Sequence, residues 1–309
     1  MKSLIKASLF LFLAGSFGSC QKSPSDTEPI VEAKTILNVS YGTSAEHKMD
    51  VYLPANRTAI TPVAILLHGG GFIAGDKSEF SMQSQMLAAK GYAVLNMNYR
   101  LVDTIGLFKI PLVHKASAIT INQQIADIKT AMSFAAGMAG EWIMNTNKWG
   151  ICGHSAGATL ALLVAYNYGS ANEVQRLKAV ANWAGATTLS FTDEAEFNLQ
   201  DPRLKEIYFR ITGYEPINAN KLAYMAVSPD WQAFNGKGIP TLNIRPEFNA
   251  VFGSDPGPAL YQSFTTTLTN KGVPNKWIEL KGADHGFGQP GNWQVVVNET
   301  AAWFDKYVR

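Results

Sequence analysis

The chain has 309 residues, 47% hydrophobic and 16% charged, which is enough apolar material for a sizeable core and unlike a disordered polymer. A net charge of +2 with no run of Lys or Arg is too small to point to nucleic acid or a strongly anionic surface as partner. With 2 cysteines, a disulfide-stapled scaffold is excluded.

In chain order, residues 1–19 read as a secretory leader: Lys2 and Lys6 form a charged start, 9–14 a short apolar stretch, and small residues follow. The apolar stretch is too short to span a bilayer. Phe17-Gly18-Ser19-Cys20 looks like a bacterial lipobox, with Phe17 in place of the usual leucine-type residue. Cys20 is therefore expected to carry lipid, which would export the protein and anchor it to the cell-envelope membrane. The alternative is ordinary cleavage with Cys20 a bystander. Residues 20–33 read as a flexible tether, being polar and proline-containing, and 34–309 as the folded domain. If Cys20 is acylated, Cys152 has no partner and reads as a small buried hydrophobe.

Residues 34–42 and 48–53 alternate as an opening hairpin. The continuous apolar run 62–67 predicts a strand covered on both faces. A helix is predicted over 78–90, stopped by Gly91, then a strand over 92–99. Residues 101–121 are irregular, long for a connection, and expected to cross the active face. A helix over 123–138 follows, then a short strand at 149–152, a helix at 158–166 and a strand at 179–183. Aromatic-rich residues 187–237 break the alternation and predict a helical cap inserted between sheet elements, most of its rings packing as core. A strand at 241–244, a helix at 257–270, a strand at 275–280 and a helix at 292–308 close the chain. Strands alternating with helices predict an α/β class, with a doubly wound, mostly parallel sheet whose crevice lies at the carboxyl ends of the strands.

Three motifs carry chemistry. Gly153-His154-Ser155-Ala156-Gly157 lies between a strand and a helix, the context in which a sharp turn projects a serine nucleophile. A serine needs a base, and His285, in the glycine-flanked loop Gly282-Ala283-Asp284-His285-Gly286, is the best placed. His47 and His114 sit in no motif, His68 is expected to shape its loop, and the His154 side chain to point away from the reacting face. His68-Gly69-Gly70-Gly71-Phe72 can turn backbone N–H groups toward an oxyanion, making Gly70, Gly71 and Ala156 the candidate donors. The third member of the triad stays open. Asp255 is favoured on its 30-residue interval to His285, with Glu247 second; Asn249, nearer the end of the late strand, could fix the tautomer but supplies no charge.

These stretches, together with Gly75-Asp76-Lys77 and Asn98-Tyr99-Arg100, resemble the α/β-hydrolase superfamily, in the branch of hormone-sensitive-lipase-like carboxylesterases and small carbohydrate esterases. The resemblance runs from about residue 48 to the C-terminus. It implies Ser155 as nucleophile, His285 as base, Gly70, Gly71 and Ala156 as oxyanion donors, and a structural ion pair between Asp127 and Arg100. The family's Gly-x-x-Asp after the late strand is absent; Arg245-Pro246-Glu247-Phe248-Asn249 stands there, with Gly253-Ser254-Asp255 later in the loop. The expectation is a serine carboxylesterase needing no metal or cofactor, acting on small esters or on acetyl or feruloyl groups of plant polysaccharide. A peptidase or amide hydrolase, and a non-catalytic glycan-binding lipoprotein on the same scaffold, are the alternatives.

Overall fold

The computed structural model describes residues 31–166, 176–191, 193–251, 255 and 257–309. The leader, Cys20 and the tether up to residue 30 lie outside the described residues. Eight strands form one sheet: β1 (Lys34–Ser40), β2 (Lys48–Leu53), β3 (Val63–Leu67), β4 (Ala93–Met97), β5 (Trp149–His154), β6 (Leu177–Trp183), β7 (Thr241–Phe248) and β8 (Asn275–Asp284). Their order is β1-β2-β4-β3-β5-β6-β7-β8; the β1–β2 and β2–β4 pairings are antiparallel and the rest parallel. After β3 the chain first adds β4 on one side and then β5 on the other. The sheet therefore reverses direction of growth between β3 and β5, where a crevice opens at the strands' carboxyl ends.

Side-chain alternation sorts the core into two layers. Val63, Ile65 and Leu67 of β3 join one apolar cluster, while Ala64 and Leu66 join the other. The first layer packs under α2 (Ile121–Gly137) and α4 (Ala156–Ala165); the second packs under α1 (Ser81–Ala89) and α10 (Asn292–Tyr307). Thr120 starts α2 with a capping box shared with Gln123, and Ile121, Ile125, Ile128 and Met132 give the helix its buried face. Every residue of α4 is buried, as a helix apolar all round except at Thr159 requires, and the Thr159 hydroxyl donates to the Ala186 carbonyl at 3.0 Å. The structure extends the sequence reading: α3 (Ala139–Trp142) adds a turn after α2, and β7 and β8 each run four residues past their predicted ends at Ile244 and Leu280.

The region between β6 and β7 is helical, with α5 (Glu194–Phe197), α6 (Pro202–Thr212), α7 (Lys221–Ala226) and α8 (Pro229–Phe234). Phe191, Phe197, Tyr208 and Tyr224 pack together as a small core of their own. The irregular 101–121 segment is fastened to α6 by Arg210, which is fully buried. Its guanidinium donates to the carbonyls of Asp103 (2.6 Å), Ile105 (3.1 Å) and Val113 (2.8 Å), and to Glu206 Oε1 (2.6 Å). Glu206 also accepts the Lys115 N–H at 2.9 Å and meets His114 at 2.8 Å. A charge pair in an apolar site survives only with such additional hydrogen bonds. No helix among the described residues is long and apolar enough to cross a membrane.

Candidate active site

Ser155 sits between β5 and α4 with φ +52° and ψ −120°, a conformation that L-residues rarely adopt. Its N–H donates to the Trp183 carbonyl at 2.8 Å, while its own carbonyl accepts from Ala158 and Thr159 and so opens α4. The flanking glycines are required by closeness. A Cβ on Gly157 would lie 2.2 Å from the His68 carbonyl oxygen, and one on Gly153 would lie 2.7 Å from the Gly157 carbonyl. The turn is thereby pressed against the end of β3, next to the glycine loop.

His285 follows β8, and its Nε2 lies 2.9 Å from Ser155 Oγ. On the other side of the ring, Nδ1 lies 2.7 Å from Asn249 Oδ1. The geometry thus corrects the expectation that Asp255 orients the histidine: Asn249, the first residue after β7, does so. The reason is the length of β7. Beyond Ile244 the strand pairs only with β8, so Pro246 removes no ladder hydrogen bond that a second neighbour would need, and the strand continues past it with a bulge. Asp255 instead accepts from Arg245 Nη2 (2.8 Å), from the Asn249 N–H (3.2 Å) and from the Gly257 N–H (2.9 Å). Glu247, the second candidate, turns to the Gly282 N–H and Lys281.

Asn249 is buried, and its amide is fixed by Tyr261. The Tyr261 hydroxyl donates to the Gly185 carbonyl at 2.6 Å, so toward Asn249 it can only accept, from Nδ2 at 3.5 Å. That leaves Oδ1 facing the ring as acceptor, puts the imidazole proton on Nδ1, and leaves Nε2 free to take the serine proton. Burial holds the His285 pKa below the usual histidine range, opposed by the charges of Asp284 and Asp255. The ring is therefore neutral at pH 7.

His154 points to the far side of the turn, where its Nε2–H donates to the His285 carbonyl at 2.7 Å. Phe80, Phe287 and Trp293 surround it. Burial and the neighbouring His285 push its pKa down to about 4, so it is a neutral donor that fixes the His285 loop. This support was not evident in the sequence, although its position beside Ser155 was the available signal.

Gly71, Phe72 and Ala156 line the same cavity as Ser155 and His285. Gly71 and Phe72 both have positive φ, at +60° and +69°. Gly70 lies behind them and is not among the lining residues; its carbonyl accepts from Ile73 and Ala74, and a Cβ there would meet the Ala74 carbonyl oxygen at 2.0 Å. It shapes the turn, and Gly71 presents its edge. The Phe72 carbonyl is held by Val102 N–H (3.0 Å) and by the buried Gln124 Nε2 (2.9 Å). His68 stacks on Tyr99 with ring centroids 4.4 Å apart, and its Nδ1 meets the Gly69 carbonyl at 2.7 Å, so it too shapes the loop.

The other motif residues are structural. Asp127 accepts both the side chain and the N–H of Arg100. Asp76 caps the turn Lys77–Phe80, and the buried Lys77 reaches Asp50 and Asn38, each at 2.9 Å. Cys152 is buried, donates to the Ile65 carbonyl, and has its pKa raised by burial, as an inert core thiol does.

The cavity measures about 400 Å³. The insert supplies Phe191, Phe197, Leu204, Ile207, Tyr208 and Ile211, and the sheet end supplies Ser155, Asn249 and His285; Asp193 and Asp255 also line it, and no Lys or Arg does among the described residues. It is a mostly apolar chamber with the serine and imidazole at its base.

Comparison with known proteins agrees with this architecture. A truncated carbohydrate esterase from gut microbiota is 19% identical with a TM-score of 0.67, over 89% of this chain and 96% of that one. Esterase B from Lactobacillus rhamnosis is 19% identical with a TM-score of 0.64, over 89% and 86%. At these identities the likeness is one of fold, and the fold is that of the α/β hydrolases. The kynurenine formamidase of Salmo salar is 30% identical over 132 residues, 43% of this chain and 39% of that protein. An isoprenylcysteine alpha-carbonyl methylesterase of Arabidopsis thaliana is 26% identical over 124 residues, 40% of this chain and 26% of that protein. The matched segments thus span well under half of these curated relatives. A family model, BD-FAE, matches residues 49–230, which include the glycine loop and Ser155 but not Asn249 or His285. On that match, which covers more than half of its length, the chain belongs to the BD-FAE family.

Proposed function

We propose that this protein is a serine hydrolase that cleaves carboxylic esters through an acyl-enzyme. The observation that carries the reading is the contact of Ser155 Oγ with His285 Nε2 at 2.9 Å, inside a cavity that Gly71 and Ala156 also line. In this reading His285 takes the hydroxyl proton as Ser155 attacks the ester carbonyl. The oxyanion forms against the backbone N–H groups of Gly71 and Ala156, at the N-terminus of α4. His285 returns the proton to the leaving alcohol, then activates water for deacylation. No step calls for a metal or cofactor.

The lining is largely apolar, with the carboxylates Asp193 and Asp255 among it, which disfavours an acidic acyl group and suits an uncharged one, and about 400 Å³ leaves room well beyond acetyl. Acetyl or larger acyl groups on polysaccharide are the proposed natural substrates, a reading supported by the likeness to a carbohydrate esterase. Export and lipidation at Cys20 are proposed from the sequence pattern, and would bring the enzyme to such polymers at the envelope. Purified protein is expected to release nitrophenol from short acyl esters and to react with a fluorophosphonate probe. Ser155→Ala should lower the turnover at least roughly a thousandfold. A Ser155→Ala protein as active as its parent would end the serine mechanism, and a folded parent that ignores the probe would leave the scaffold as a binding protein.

An amide-directed reading is kept alive by the two kynurenine formamidases, similar at 30% and 28% identity. Side-by-side turnover of phenyl acetate and formanilide decides between them. Preference for the formanilide would move the assignment from ester to amide.

A further inference from the structure

A carboxylate against Nδ1 would both orient the base and stabilise the imidazolium; Asn249 can do only the first. We propose that Asp255 and Asp284 supply through space the negative charge that a contacting carboxylate would otherwise supply, leaving Asn249 as the orienting group alone. The inference rests on the reading of His285 as the base.

Neither aspartate bonds the ring. Asp284 precedes His285 in the chain and is held by the Gly288 N–H (3.0 Å) and Gln289 Nε2 (3.0 Å). Asp255 lines the cavity with His285 and accepts the N–H of Asn249, the residue that touches the ring. Its partner Arg245 is also paired to Glu279 at 3.1 Å, so these three groups together keep one net negative charge. The remaining neighbours are accounted for. On the turn before α4, Ser155 is uncharged, and His154, its ring centroid 5.0 Å from that of His285, is neutral. Lys281 on β8 is occupied by Glu247 and Glu279. Asp193 of the insert reaches the cavity, adding a further negative group and no positive one. Burial lowers the His285 pKa, and Asp284 and then Asp255 are the charges that raise it again. Both aspartates are positioning residues, acting on His285 by their field.

The test is the titration of His285, followed by NMR on 13C-labelled histidine in the whole protein and by the acid limb of kcat/KM. Asp255→Asn and Asp284→Asn remove the charge while keeping the size of the side chain and one of its two accepting oxygens. Each is expected to lower the midpoint by on the order of half a pH unit, and the double variant by about the sum. Glu279→Gln removes the other carboxylate paired to Arg245, one that does not line the cavity, and should move the midpoint less than Asp255→Asn does. A double variant that titrates like its parent overturns the proposal, as does a shift of equal size in Glu279→Gln. Should Asp255→Asn fail to fold, Asp284→Asn alone still decides, by a lowered or an unmoved midpoint. An NMR shift of the expected sign in a protein that turns over no ester would sink the hydrolase reading, and with it the catalytic use of the field, while an unmoved midpoint in an active esterase would overturn this inference alone.

Discussion

Replacing a carboxylate by an amide at Nδ1 has different consequences depending on whether the amide can flip. In a related triad the aspartate-to-asparagine change costs roughly ten-thousandfold because the imidazole takes the wrong tautomer. Here Tyr261 blocks the flip, so the productive tautomer is kept and only the charge is missing. Asn249→Ala is expected to lower kcat on the order of a hundredfold by freeing the ring to move. Asn249→Asp should instead move the acid limb of kcat/KM upward by about one pH unit, because a negative charge in contact favours the imidazolium. A pH–rate series on the two variants checks both directions. Ser155 and His285 were legible because each sits in a motif defined by its immediate neighbours. Asn249 was not, because its place depends on how far β7 runs beyond Pro246.

At the scale of elements, the insert and the 101–121 segment behave as one body through Arg210. Burial alone would raise the Glu206 pKa, but Arg210, the Lys115 N–H and His114 outweigh it and keep the carboxylate ionised. Arg210→Met removes the positive partner and strands that charge, which typically costs about 3–5 kcal/mol. A lower urea midpoint is expected, with faster proteolytic cutting within residues 101–121. Arg210→Met combined with Glu206→Leu should recover much of the loss, since neither charge is then buried alone; urea melts of the single and double variants test this. The sequence marked both segments as irregular or helical, yet nothing local joined them. Arg210 and Glu206 are one helical turn apart, which reads as an ordinary surface pair until α6 is seen lying under the loop.

For the whole molecule, acid sensitivity follows from the buried neutral histidine under the active site. His154 takes up its proton near pH 6.5 when unfolded but only at about 4 when folded. Above pH 6.5 the two states bind protons alike and His154 adds no pH dependence. As pH falls from about 6.5 to 4 the unfolded chain alone is protonated, and up to about 3 kcal/mol of stability is lost. His68, also lowered by burial, adds in the same direction. Denaturant melts across this range should show the loss, and His154→Gln should flatten its slope. The sequence by itself determined the strand–turn–helix around Ser155, the glycine loop and the alternation that builds a doubly wound sheet, because backbone conformation and burial period are written in neighbouring residues. Only the tertiary structure decided that Asn249 meets His285, that Asp255 instead ties Arg245 to the loop, and that His154 holds a carbonyl 131 residues away. Those contacts depend on strand length and register across the sheet, and no local pattern encodes where two distant chain segments stop beside each other.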